Sequence, residues 1–108
     1  MIHELRIYHC MPGKLPAVLT RFQNETLAFF EKYGIRQIGF WTVGVGGSSA
    51  DFYYIVEYDS MTDRDTKWSA FQGDPDWLEV RRRTEADGPI VAAVTNLMLQ
   101  PTAFSPLR

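Results

Sequence analysis

The chain has 108 residues, 45% of them hydrophobic and 14% aromatic, with a formal net charge of −2. That describes one globular domain long enough to bury its own core, and the absence of a basic field excludes nucleic acid as a partner. Cys10 is the only cysteine, so neither an internal disulfide nor a cysteine-based zinc set can form. No run of membrane-spanning length and no signal-peptide core is present, which makes a cytoplasmic protein without a membrane partner the expectation.

The first element is a strand. Ile2 to Cys10 alternates, with His3, Leu5, Ile7 and His9 on one face and Ile2, Glu4, Arg6, Tyr8 and Cys10 on the other. Met11-Pro12-Gly13 ends it, because proline removes a ladder donor and glycine permits positive φ. A helix is predicted from about Leu15 to Tyr33, with Leu15, Val18, Leu19, Phe22, Thr26, Phe29 and Phe30 forming an apolar stripe. Arg21, Asn24, Glu25, Glu31 and Lys32 fall largely off that stripe, and Gly34 suits the position that closes the helix.

Ile35 to Val43 reads as a second strand, with Ile38 and Phe40 on one face and Trp41 and Val43 on the other. The glycine-rich loop from Gly44 to Ser49 lacks the Lys-Ser/Thr ending of a phosphate loop and leads into a strand, so it reads as a turn. Phe52 to Asp59 is the third strand. Ser60 and Asp63 have the spacing of a helix cap, and Trp68 and Phe71 lie three apart on the helix that follows. Gly73 ends that helix. Asp74 can cap the next one, with Pro75 at its first position and Trp77 in its first turn. After Asp87-Gly88-Pro89, the segment from Ile90 to Leu99 is a fourth strand, with Val91, Ala93, Leu97 and Leu99 set against Ala92, Val94 and Met98.

The order βαββαβ is that of an α+β, ferredoxin-like split βαβ fold, an antiparallel sheet with helices on one face. Both faces of the strands are apolar, yet one chain has helices for only one of them. A second copy is the economical cover, so a homodimer packed through the sheet faces is expected.

The segments IHELRIYHCMPGKLPAVLTRF, GFWTV, DRDTKWSAFQGDPDW and PTAFSP, in this order, resemble the NIPSNAP family within the dimeric α+β barrel superfamily. The resemblance covers nearly the whole chain as a single domain, residues 1–108. It implies the same protomer fold and a dimeric barrel, but no particular activity, since related families include cofactor-independent monooxygenases, haem-degrading enzymes and stress-response dimers. It also implies a pocket between the sheet and the helices of each protomer.

The expected ligand of that pocket is a small apolar or aromatic metabolite. Trp41, Trp68, Phe71 and Trp77 are the candidate walls, with Arg6 and Tyr8 as orienting groups and Tyr54 extending the polar lining. Glu4 and Arg6 share a strand face at the spacing of a salt bridge, with Glu57 as a further partner on a neighbouring strand. His3 and His9 are the only imidazoles, and on one strand they lie on the order of 20 Å apart, too far to share a metal. Both read as surface residues at the strand ends. No catalytic triad can be assembled, so no catalytic residue, metal or cofactor is assigned. The alternatives are a cofactor-independent monooxygenase or isomerase and a non-enzymatic protein-interaction module.

Overall fold

A computed structural model describes residues 1–108. The elements are β1 (Ile2–Cys10), α1 (Leu15–Arg21), a π-helical turn (Phe22–Thr26), α2 (Leu27–Tyr33), β2 (Arg36–Thr42), β3 (Asp51–Tyr58), α3 (Met61–Gln72), α4 (Pro75–Thr84) and β4 (Val91–Leu99). The strands form one sheet in the order β2-β3-β1-β4, and every neighbouring pair is antiparallel. This is the split βαβ order, with both crossover helices on one side.

The pairing register sorts the side chains between the two faces. Glu4, Arg6 and Tyr8 of β1 stand opposite Val56, Tyr54 and Phe52 of β3, toward the helices. His3, Leu5, Ile7 and His9 stand opposite Glu57, Ile55, Tyr53 and Asp51 on the helix-free face. Strict alternation fails at two places. The β2–β3 register shifts between Gln37 and Gly39, and the β1–β4 register shifts between His9 and Cys10. The second shift pairs Val91 with Cys10, so Val91 lies toward the helices and not with Ala93, Leu97 and Leu99.

Position at the strand ends predicts surface histidines, and for His3 the structure differs. His3 is buried, its Nε2 2.9 Å from Glu57 Oε2, while His9 contacts Asp51 and Thr95. Glu57 accepts from Arg36 as well, on the helix-free face, and so takes no part in the Glu4–Arg6 pair.

The first helix departs most from a regular reading. Val18, Phe22, Thr26 and Phe30 are all buried and step by four. At 3.6 residues per turn, three such steps would drift about 120° around the axis. The wider π turn absorbs that drift: the Leu27 N–H bonds back five residues to the Phe22 carbonyl, and the Thr26 hydroxyl donates to the Arg21 carbonyl at 3.4 Å. Phe22 thereby reaches the centre of the core, with rings of Tyr8, Phe30, Phe40, Phe52 and Tyr54 around it.

The chain ends its helices where the sequence places stops. Gly34 has φ of 69°, and the amides of Gly34 and Ile35 bond back to Glu31 and Phe30. Its missing Cβ would meet only the Lys67 side chain, at ordinary contact distance, so the requirement for glycine is conformational. We expect Gly34→Ala to cost about 1 kcal/mol and to lower Tm by roughly 4–8 °C. An unchanged Tm in a thermal melt would show that the left-handed turn carries no strain.

Ser60 caps α3 by accepting from the Asp63 amide, and Asp63 accepts in turn from the Asp59 amide. Asp74 caps α4 through the Asp76 amide while Lys32 and Tyr33 donate to its other oxygen, tying α2 to the start of α4. Those two donors hold its carboxyl well below the usual range.

Candidate functional site

The helices cover β2, β3 and β1 but stop short of β4. Val94 consequently remains 44% exposed on the strand's helix-side face. Between this strand and α4 lies a cleft of about 280 Å³. Arg6 and Tyr8 enter it from β1, Arg21 from α1, and Gln72 from the end of α3. Trp77, Arg81 and Glu85 come from α4 and the residue after it, and Val91 to Val94 form the opposite wall.

The floor is a chain of buried polar groups. Glu4 is fully buried and accepts hydrogen bonds from Arg6, Arg64 and Asn96. Burial works against the Glu4 charge, but the bonds from Arg64 and Asn96 and the two nearby guanidinium groups outweigh it and hold the carboxyl below its ordinary value. Burial likewise opposes the charge on Arg6, and the adjoining Tyr54, Tyr8 and Glu4 hold that guanidinium above its usual value. Arg6 also lies over the Trp68 ring, 4.3 Å from its centroid.

Arg6 Nε donates to the Tyr54 hydroxyl at 2.8 Å, and the Tyr54 and Tyr8 hydroxyl oxygens are 3.1 Å apart. Tyr54 is completely buried, and its burial pushes the phenol well above its ordinary value. The arrangement that satisfies both hydroxyls has Tyr54 accepting from Arg6 and donating to Tyr8. Tyr8 then keeps its own proton for the cleft.

Two further donors lie in the same lining. Trp77 is 5% exposed and Arg21 is 7% exposed, and neither Trp77 Nε1 nor Arg21 Nε has a hydrogen-bond partner. The Arg21 guanidinium carbon is 5.5 Å from the Trp77 ring centroid. Arg21 and Arg81 each approach Glu85 at 3.4 Å, which is long for a charge-assisted bond.

Of the candidate residues, Arg6, Tyr8 and Trp77 line the cleft together. Tyr54 stands behind Tyr8, Trp68 lies under Arg6, and Phe71 packs behind Trp77 at 4.7 Å between ring centroids. Trp41 is elsewhere. It pairs with Tyr53 on the helix-free face, is 50% exposed, and lays its ring over Gly39. The same alternation that sets Phe40 in the core must point Trp41 away from it.

Sequence reasoning missed Arg21, Arg81, Gln72, Glu85 and the β4 wall. Arg21 falls largely off the predicted apolar stripe, yet it is buried at the end of α1. The signal that could have found it is its place three residues after Val18 and next to Phe22, on the flank of the apolar stripe.

Comparison with known proteins places these features in a family. The NIPSNAP family model matches residues 3–106. Protein NipSnap homolog 3B of Mus musculus is 30% identical over 77 residues, which is 71% of this chain and 30% of that protein. The chain thus spans about a third of the length of the curated relatives it matches. A NIPSNAP family protein from Agrobacterium tumefaciens superposes with a TM-score of 0.87 at 27% identity, covering 99% of this chain and 98% of the other. A candidate antibiotic biosynthesis monooxygenase from Nitrosomonas europaea shares the fold, with a TM-score of 0.64 at 14% identity over 94% of this chain and 98% of its own. No helix is long and apolar enough to cross a membrane. By its matched residues and its fold, this chain belongs to the NIPSNAP family.

Proposed function

We propose that the protein is a small-molecule-binding homodimer. Each cleft between β4 and α4 takes a compact molecule with an apolar or aromatic body, and two copies pair through their helix-free sheet faces. The observation that carries the ligand reading is the cleft lined by Tyr8, Trp77, Val91 and Val94, in which buried N–H groups of Trp77 and Arg21 lack partners. Apolar walls with a few convergent polar groups are what small ligands occupy, and about 280 Å³ suits a compact one.

The homodimer reading is supported by the composition of the open face. Leu5, Ile7, Trp41, Tyr53, Ile55, Leu97 and Leu99 share it, with Leu97 51% and Leu99 41% exposed. Polar pairs stand at both ends, Arg36 with Glu57 near one and His9 with Asp51 near the other. A patch of that kind, apolar at its centre and polar at its rim, matches the anatomy of a protein interface.

Thermal melts against a panel of small aromatic compounds test the ligand part. Saturation at about 100 times Kd adds about 2.7 kcal/mol of stability, so binders raise Tm clearly. Val94→Phe, which fills the cleft, should abolish the rise. A flat response across the panel would contradict the reading. Sedimentation equilibrium tests the pairing: the mass of two chains is expected, with Leu97→Glu giving that of one, and a single-chain mass for the unaltered protein would end the dimer.

A catalytic version of the reading rests on Tyr8. A hydroxyl that presents its proton to the cleft can stabilise a phenolate-like substrate anion, as cofactor-free oxygenation of an electron-rich aromatic requires. Oxygen uptake with candidate phenols that disappears in Tyr8→Phe would support it, and no uptake with any bound phenol would leave a binding protein only.

A further inference from the structure

We propose that the group recognised in the cleft is a carboxylate, carried on a small apolar or aromatic body. The inference rests on the cleft being a small-molecule site and names the chemistry of what fills it. Three guanidinium groups contribute to the lining, those of Arg6, Arg21 and Arg81, against one acid, Glu85. Glu4 lies behind Arg6, but it is shared with Arg64 and so does not cancel the excess of positive charge.

The two orphan donors sharpen the point. A buried N–H without an acceptor costs free energy, and Trp77 Nε1 and Arg21 Nε, both on residues of the lining but closed to solvent, carry that cost until a side-chain shift admits an acceptor. Neither group can accept a hydrogen bond, so the partner they lack must be an acceptor. A carboxylate offers two acceptor oxygens in one plane and suits a guanidinium with a second donor beside it. Tyr8 adds a hydroxyl on the β1 side of the same cleft. Glu85, in contact with Arg21 and Arg81, weighs against a dianionic phosphate, because it already uses part of the positive charge. Val91 and Val94 leave apolar wall for the rest of the molecule.

Isothermal titration with benzoate, benzamide and phenyl phosphate tests the assignment. Benzoate should bind more tightly than benzamide, which has the same ring and no charge, by roughly ten- to a hundredfold. Trp77→Phe keeps an aromatic body and removes only the indole N–H, and Arg81→Gln removes one charge from a partly exposed position. Each should weaken benzoate by about tenfold, and Arg81→Gln, which removes only charge, should weaken benzamide less than benzoate. The unliganded Tm of each variant reports folding separately.

Benzamide binding as tightly as benzoate would overturn the carboxylate while leaving a neutral-ligand cleft. Phenyl phosphate binding more tightly than benzoate would overturn it in favour of a phosphoryl group. If none of the three binds and neutral aromatics also leave Tm unmoved, the cleft itself is not a ligand site and the reading beneath this one fails.

Discussion

Replacing Glu4 by Gln should destabilise the protein by about 3–5 kcal/mol, among the largest effects available to a single polar substitution. Glu4 has no exposed surface, and its two oxygens accept from Arg6, Arg64 and Asn96. Glutamine keeps the size but removes the charge, leaving the poorly solvated Arg6 guanidinium without its counter-ion and turning one acceptor into a donor that faces donors. Chemical denaturation of the variant measures the loss directly. A change below about 1 kcal/mol would mean that solvent already reaches the cluster and screens it.

The same carboxylate makes stability depend on pH. Its folded-state pKa is depressed, so its contribution is complete above the unfolded glutamate value of about 4.3 and is lost as pH falls through the folded one. Asp74, also held low, acts in the same direction at the start of α4. Stability measured from pH 7 downward should therefore hold until about pH 5 and then decline, and Glu4→Gln should flatten part of that decline.

The second large effect is expected at Phe22. Phe22→Ala should cost about 3–5 kcal/mol, because its ring is the hub on which the aromatic core converges and the π turn holds it in place. Its nearest ring neighbours are Phe52 and Tyr54, each 5.0 Å away between centroids. They belong to the sheet, whose ladder holds their backbone in place, so only side-chain rotation can fill the space. The deletion also removes support from Tyr8, whose ring meets Phe22 edge-on at 5.6 Å. Denaturation of Phe22→Ala reports the cost, and a loss under about 2 kcal/mol would show that the core collapses around the gap.

Much of this architecture was legible in the residues. Ser60, Asp74-Pro75 and Gly34 announce helix ends because caps and left-handed turns depend on local chemistry that few residues satisfy. Alternation in β1 and β3 separates Glu4, Arg6, Tyr8 and Tyr54 from the helix-free face because the pleat has a period of two. Features that break the period were not legible. The π turn has no local signature, and neither has the register shift beside Cys10 that turns Val91 toward the helices. The cleft itself depends on how far α4 reaches across the sheet toward β4. Packing of separate elements decides that distance, and no local pattern encodes it.

Trp77 provides the most direct test of a ligand site in the cleft. In a ¹⁵N heteronuclear spectrum each of the three tryptophans gives its own indole N–H signal. Trp77 lines the cleft with an unpartnered Nε1, whereas Trp41 sits on the opposite face of the sheet. Titration with small aromatic carboxylates should move the Trp77 indole signal progressively to lower field, as an N–H that gains an acceptor does, and leave Trp41 in place. A titration that moves Trp41 alone, or no indole at all, would contradict a ligand site between α4 and β4.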